Sequence, residues 1–279
     1  MTKGHENAET RSGGAAEQGS KGAEGDSPLH RRASASLHAF LAALQFLTIV
    51  PPLMRRPFTP MELGQGVGYF PLVGLLMGGL LVGLDVSLRL LFPVGMTTAL
   101  VLAAWVTLTG ALHLDGFLDA CDGLFGGATP EERLRILRDE RVGAFAVVGG
   151  VLLLLVKYTS LAATLDRSVA LLLAPTLGRW GMALSVIAFP YARPEGLGRA
   201  MKDHAGWAQG VLATGIALAG VWLAGRWSGL AALALAGAVT WAGARFTLSR
   251  LPGLTGDIYG AICEVAETSV LLTLVALGS

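Results

Sequence analysis

Seven apolar stretches dominate the sequence, at residues 66–91, 97–112, 143–164, 168–189, 207–224, 229–246 and 258–278, with short polar connections between them. An α-helix needs about 20 apolar residues to cross a bilayer, and in lipid only helices and closed barrels satisfy their own backbone. Continuous runs of this length read as helices. The expected fold is therefore all-α, a polytopic membrane helical bundle of about seven transmembrane helices, the second being the shortest. Composition agrees: 15% of the 279 residues are charged and 53% are hydrophobic, whereas a soluble domain carries about 25% charged residues. The 38 glycines suit close helix approach in a membrane.

A further apolar run, LHAFLAALQFLTIV (37–50), is too short to span and stops at Pro51-Pro52. It is expected to form a short N-terminal helix, interfacial or re-entrant. Residues 1–35 are rich in Gly, Ala, Ser and Glu with almost no large apolar side chains, the signature of a disordered polar tail. This leaves 36–279 as a single membrane-embedded catalytic domain. Arg31 and Arg32 before an apolar run raise the idea of a signal peptide. Their depth in the chain, Gln45 within the run and the two prolines after it argue against one.

The formal net charge of +1 excludes the basic excess of a nucleic-acid-binding protein. Cys121 and Cys263 have no metal-type spacing and make no disulfide framework. Lys and Arg alternate between connections. Arg55 and Arg56, then Arg133 to Arg141, then Arg193, Arg199 and Lys202, then Arg250 fall on one side, and Arg89, Arg167 and Arg226 on the other. The basic side is expected to face the cytoplasm. Most acidic residues fall on that side too, so any chemistry belongs at the cytoplasmic mouth.

The strongest local signal is HLDGFLDACDGLFGG (113–127). Asp115, Asp119 and Asp122 recur at i, i+4 and i+7 and share one helix face. Carboxylates crowded at a membrane boundary repel one another and need compensation, for which a hard cation such as Mg²⁺ is suited. Gly116 and Gly123 are expected to leave room for a bulky substrate. A solvated helix start with favourably placed acids is the plainer alternative. His113, as a lone histidine, is more often a hydrogen-bonding group than a base. A second acidic face, TGDIYGAICEVAE (255–267), sets Asp257, Glu264 and Glu267 at i, i+7 and i+10. Function is favoured for Asp257 and Glu264, whereas Glu267 is equally well a buried partner of Lys157 or Arg179. Arg138, Asp139 and Arg141, then Arg193, Glu195 and Lys202, supply charged groups in the connections, and Arg clamps suit phosphate oxygens. Retention by the positive-inside effect and lipid headgroup contact accounts for part of them equally well. Acids, cations and glycines at one membrane face point to phosphoryl or phosphodiester transfer.

Taken together, HLDGFLDACDGLFGG, RDERVGAFA, YARPEGLG and TGDIYGAICEVAE, with LQFLTIVPP and GYFPLVGLLMGGLL before them, resemble the cobalamin synthase family in order and spacing over residues 37–278. That family comprises the adenosylcobinamide-GDP ribazoletransferases of the bacterial inner membrane. The resemblance implies an Mg²⁺-dependent transfer that joins adenosylcobinamide-GDP to α-ribazole or α-ribazole 5′-phosphate and releases GMP. It implies metal ligands at Asp115, Asp119 and Asp122, with Asp257 and Glu264 in the second motif, and a base at Asp122 or His113. Substrate contacts are expected among Arg138, Asp139, Arg141, Arg179, Arg193, Glu195 and Lys202. The implied partners are the two substrates and the lipid bilayer; a homo-oligomer and contacts with other cobalamin-pathway enzymes are compatible with it. Two departures stand out. Val-Gly-Ala-Phe follows Arg141 where many relatives carry a Gly-Thr pair, and Gly-Arg-Trp at 178–180 replaces a frequent Ser-Arg. Three other readings compete. A CDP-alcohol-type phosphotransferase would carry an Ala-Arg step between the first two Asp and a longer gap to the last, and HLDGFLDACDG has neither. A cation-coupled transporter would show internal repeats. A purely structural subunit would leave both acidic faces without a cause.

Overall fold

In the computed structural model, which describes residues 28–278, the chain is helical nearly throughout. Of the expected polar tail, residues 1–27 lie outside the described residues, while 28–35 belong to α1 (Pro28–Leu47). The N-terminal helix is thus longer than its apolar run. Ala39, Ala42, Ala43 and Leu47 bury its inner face. Gln45 fastens the turn after it, accepting from the Met54 backbone N–H at 2.9 Å. α2 (Pro60–Gly66) opens on a reciprocal cap between Thr59 and Glu62, and a single 3₁₀ turn at Val67–Tyr69 leads into α3 (Phe70–Leu88). There follow α4 (Val94–Leu108), α5 (Leu112–Gly126), α6 (Pro130–Ile136), α7 (Ala144–Ala163), α8 (Arg167–Ala188), α9 (Leu197–His204) and α10 (Trp207–Gly220). A π turn at Val221–Gly225 joins α10 to α11 (Arg226–Leu248), and α12 (Gly256–Ala276) completes the bundle.

Six of these segments are long and apolar enough to cross a membrane, and α4 and α5 reach that length only together, bent by 87°. The seven expected runs fall on α3, α4, α7, α8, α10, α11 and α12. The second run does not continue to 112 as a span. Gly110 and Ala111 both take left-handed backbone conformations, with φ of 59°, and break it. Glycine does so freely. Ala111 pays steric strain of about 1–2 kcal/mol, and together they swing α5 across the end of the bundle.

Polarity is inverted relative to a soluble protein. Val147, Val148, Val151, Leu152 and Leu155 of α7 and Trp222, Leu223 and Trp227 face outward, as lipid-facing and interfacial side chains do. Charges are held inside. At one end of the bundle Arg167 of α8 pairs with Asp85 of α3 through Nε at 3.0 Å and donates to Thr98 of α4 at 3.0 Å. At the other end lie α1, α2, α5, α6 and α9, and there a parallel bridge between Tyr191 and Leu254 ties the connection after α8 to the one before α12.

Close packing is carried by glycine. On α3, a β-carbon at Gly74 would lie 2.3 Å from the Pro175 carbonyl oxygen, and one at Gly78 would lie 2.5 Å from that of Leu171. Proline has no N–H for Leu171, so the α8 carbonyl left unbonded by Pro175 is the one that Gly78 covers. Gly79 and Gly83, on the outer face, meet nothing within 4 Å. Gly74→Val should therefore lower the thermal unfolding midpoint of the detergent-solubilised protein by an amount corresponding to about 1–3 kcal/mol or more of overpacking. Gly79→Val should leave it nearly unchanged. Equal midpoints would show that the α3–α8 contact is not glycine-dependent.

Candidate active site

The bend at Gly110–Ala111 delivers the acidic motif to one end of the bundle. α5 crosses the first turns of α12 at very short range: a β-carbon at Gly116 would lie 2.8 Å from the Asp257 carbonyl oxygen, and one at Gly260 would lie 3.1 Å from that of His113. This corrects the reading of Gly116 as room for substrate, since the space is filled by α12. Gly123 likewise packs on Leu137. The crossing brings the two acidic motifs together. Asp115 and Asp257 line one cavity of about 280 Å³ with Arg193 and Glu195. Asp115 also lines a neighbouring cavity of about 300 Å³ with Asp119, Arg138, Asp139 and Glu140. It therefore stands on the wall between the two.

The carboxylates differ in what they touch. Asp115 is exposed and Asp119 half-buried, and neither has a hydrogen-bond or ion-pair partner among the described residues. Asp115, Asp257 and Asp122 all bear on Asp119 electrostatically. Asp257 accepts from Arg193 Nη2 at 2.8 Å and from Thr255 Oγ1 at 3.1 Å. The same Arg193 nitrogen donates to the Leu137 carbonyl at 3.1 Å, so one guanidinium joins the end of α6 to the start of α12. Six acidic side chains (Asp115, Asp119, Asp139, Glu140, Glu195 and Asp257) line the two cavities against Arg138 and Arg193, which leaves the mouth negative.

Asp122 is engaged differently. Its Oδ2 accepts from the Gly143 N–H at 2.6 Å and its Oδ1 from the Ala146 N–H at 2.9 Å. Gly143 is the N-cap of α7, so Asp122 caps that helix from α5, satisfying donors that no side chain of the α7 N-terminus reaches. A β-carbon at Gly143 would lie 2.7 Å from Asp122 Oδ1, which makes glycine the fitting residue there. With both oxygens so occupied, Asp122 is placed to position α7 rather than to act as a base.

Two further expected site residues lie deeper. Glu264 pairs with Lys157 of α7, and Glu267 pairs with Lys157 and with Arg179 of α8. Trp105 of α4 lies 5.0 Å from the Lys157 ammonium. All four charged side chains are buried. Glu264 follows Asp257 by seven residues, about 10 Å along the helix, and Lys157 takes it out of the acidic mouth. Glu264 is thus not gathered with the other expected metal ligands, and Arg179 is sealed from both cavities. Among the described residues no three His, Cys, Asp or Glu side chains stand close enough to form a complete metal cage.

Of the remaining expected residues, Arg138, Asp139, Arg193 and Glu195 line one cavity or the other. Arg141 is exposed beside them, its N–H held by Asp139 at 3.1 Å. Lys202 instead donates to the Ile187 carbonyl at 2.8 Å, closing the C-terminal end of α8, and burial followed by Arg199 lowers its ammonium pKa. His113 is buried in the wall of the first cavity, with Nε2 unpartnered. Sequence reasoning missed the aromatic lining of that cavity: Phe46, Phe70, Tyr191 and Tyr259. Tyr191 and Tyr259 stack with ring centroids 5.9 Å apart. Burial raises the Tyr191 pKa against the opposing pull of Arg193. The tyrosines inside YARPEGLG and TGDIYGAICEVAE were the available signal.

A polytopic helical membrane protein with an acidic, Arg-flanked, two-chambered site at one end is the class that fold and site define. Comparison with known proteins narrows it. The cobalamin-5-phosphate synthase family matches residues 39–275, and the chain belongs to that family. It is 43% identical over 244 residues to the adenosylcobinamide-GDP ribazoletransferase of Pseudomonas syringae pv. syringae, covering 85% of this chain and 99% of the relative. Against the protein of that name from Pseudomonas aeruginosa PAO1 the identity is 43%, covering 86% of this chain and 98% of the relative. The corresponding protein of Desulforamulus reducens is 40% identical, with 85% and 95% covered. No solved structure matches the chain.

The different surroundings of the aspartates give a signed expectation. Asp122→Asn leaves one α7 N–H facing an amide donor and should lower the unfolding midpoint by an amount corresponding to about 1.5–3 kcal/mol. Asp115→Asn and Asp119→Asn remove unpaired like charges and should leave the midpoint unchanged or raised. A differential scanning measurement in detergent that ranks the three alike would refute the capping role.

Proposed function

We propose that this protein is an adenosylcobinamide-GDP ribazoletransferase, joining adenosylcobinamide-GDP to α-ribazole or its 5′-phosphate and releasing GMP. The observation that carries the reading is that Asp115 and Asp257, from two distant motifs, line one cavity beside Arg193, with the unpaired Asp119 next to them. The names of relatives matched over nearly their whole length support it.

In the proposed reaction the ribose 3′-hydroxyl of the nucleoside attacks the phosphorus on the cobinamide side of the diphosphate. The new P–O bond forms as the bond to the bridging oxygen breaks, and GMP leaves with that oxygen. The transition state of such a transfer is loose, so positioning and charge do most of the work. Asp115, on the wall shared by both cavities, is placed to receive the hydroxyl proton. Arg138 and Arg193, at the rim of one cavity and in the wall of the other, are the cations for the phosphate oxygens. Asp122 keeps α7 in place, and the Lys157 cluster holds α12, so that both walls stay fixed.

The family resemblance implies Mg²⁺, and the donor set fits: Asp115 and Asp119 offer unpaired carboxylate oxygens, and this ion is commonly held by one or two carboxylates together with substrate phosphates. Bound there it would neutralise charge developing on the diphosphate. We place the site on the cytoplasmic side of a bacterial inner membrane, because the basic connections at this end follow the positive-inside pattern.

Purified protein in detergent, given Mg²⁺, adenosylcobinamide-GDP and α-ribazole, should release one GMP for each cobalamin formed. EDTA should stop the release, and Asp115→Ala and Asp119→Ala should abolish it while membrane insertion stays normal. Turnover of a CDP-alcohol with a lipid alcohol, and none of the corrinoid, would sink the reading. Near-native turnover of either variant would remove the metal assignment.

A further inference from the structure

The first cavity is unlike the second. Its inner walls are Phe46, Phe70, Met182, Met201, Tyr191 and Tyr259, a lining of rings and thioethers. Three of its lining residues carry a buried polar atom with no partner among the described residues: His113 at Nε2, Arg193 at Nε and Tyr259 at its hydroxyl. His113 and Tyr259 are 2% and 4% exposed. Buried polar atoms ordinarily find partners, so three of them in the residues that line one aromatic cavity point to a ligand that is flat and apolar yet carries a few hydrogen-bonding groups.

We infer that this cavity seats the acceptor nucleoside, its aromatic base among the rings and its ribose toward Asp115, while the corrinoid donor approaches from the second cavity. The inference rests on the reaction proposed above and goes further in dividing the two substrates between the two chambers. The linings support the division: the second cavity is walled by Asp119, Arg138, Asp139 and Glu140 and holds no aromatic side chain. About 280 Å³ lies at the lower end for small-molecule sites. It suits a bicyclic base with a pentose, and the second cavity, of about 300 Å³, takes the donor's diphosphate and not its corrin macrocycle. The wall between the chambers carries Asp115, so a hydroxyl directed out of the first cavity meets a diphosphate held in the second.

Tyr259→Phe is the direct test, because removing a hydroxyl with no protein partner does not weaken the fold. In detergent-solubilised protein it should raise KM for α-ribazole by about fivefold, the loss of one hydrogen bond, and leave KM for adenosylcobinamide-GDP and the unfolding midpoint unchanged. Phe46→Trp, which narrows the same cavity, should raise KM for α-ribazole further. Equilibrium dialysis with α-ribazole alone should show binding to the wild-type protein that both variants weaken and that GMP does not displace. A rise in KM for the corrinoid instead, or displacement by GMP, would assign the cavity to the donor and overturn the inference. If the wild-type protein proves inactive toward both substrates, the proposed reaction falls. Dialysis then decides the cavity separately: no binding of α-ribazole overturns this inference as well.

Discussion

Four charges sealed among apolar helices hold the bundle in register. Lys157, Arg179, Glu264 and Glu267 come from α7, α8 and α12 and sum to zero. In a membrane-embedded interior none of them is tolerable alone. Removing one partner of such a cluster leaves an uncompensated buried charge, at a cost of about 3–5 kcal/mol, so the three helices are constrained to the arrangement in which all four meet. Gly178 permits it: a β-carbon there would lie 2.5 Å from the Glu267 side chain. Everything nearer the mouth is built on this layer. The first turns of α12 carry Asp257, and α5 rests on them.

The second determinant is the crossing of α5 over α12. Left-handed backbone at Gly110 and Ala111 turns the chain out of α4, and the glycine contact at Gly116 and Gly260 lets two helices carrying acids come within backbone distance. Repulsion between the motifs is moderated by Arg193 on Asp257 and by the α7 N-terminus on Asp122. Asp115 and Asp119 are the two aspartates left without such relief. A site that binds a polyanion through cations needs unsatisfied carboxylates of this kind, and the fold confines them to the wall between two cavities.

Much of this was legible in the sequence, and the failures have physical reasons. Apolar run length identified the six helices long enough to cross and marked the run of α4 as the shortest, because lipid imposes a minimum length on a span. Helical spacing put Asp115, Asp119 and Asp122 on one face, and the position of the basic connections put both acidic motifs at one end. Spacing does not reveal what a face meets. Glu264 shares a face with Asp257, yet depth gives it to Lys157. Asp122 shares a face with Asp115, yet a helix start more than twenty residues later swings round to claim both its oxygens. Gly116 and Gly123 read as openings and are contacts, since a missing side chain says only that something approaches. The aromatic cavity needed residues from α1, α3, α8 and α12, and no local pattern announces such an assembly.

The shortness of α4 has a consequence for the surrounding lipid. Its 15 residues rise about 22 Å, less than the roughly 30 Å of a typical hydrocarbon core. Where it faces the bilayer, the leaflets must pinch or the acidic mouth must sink below headgroup level. A water-soluble nucleoside and an amphiphilic corrinoid would then meet in a dimple of the membrane surface.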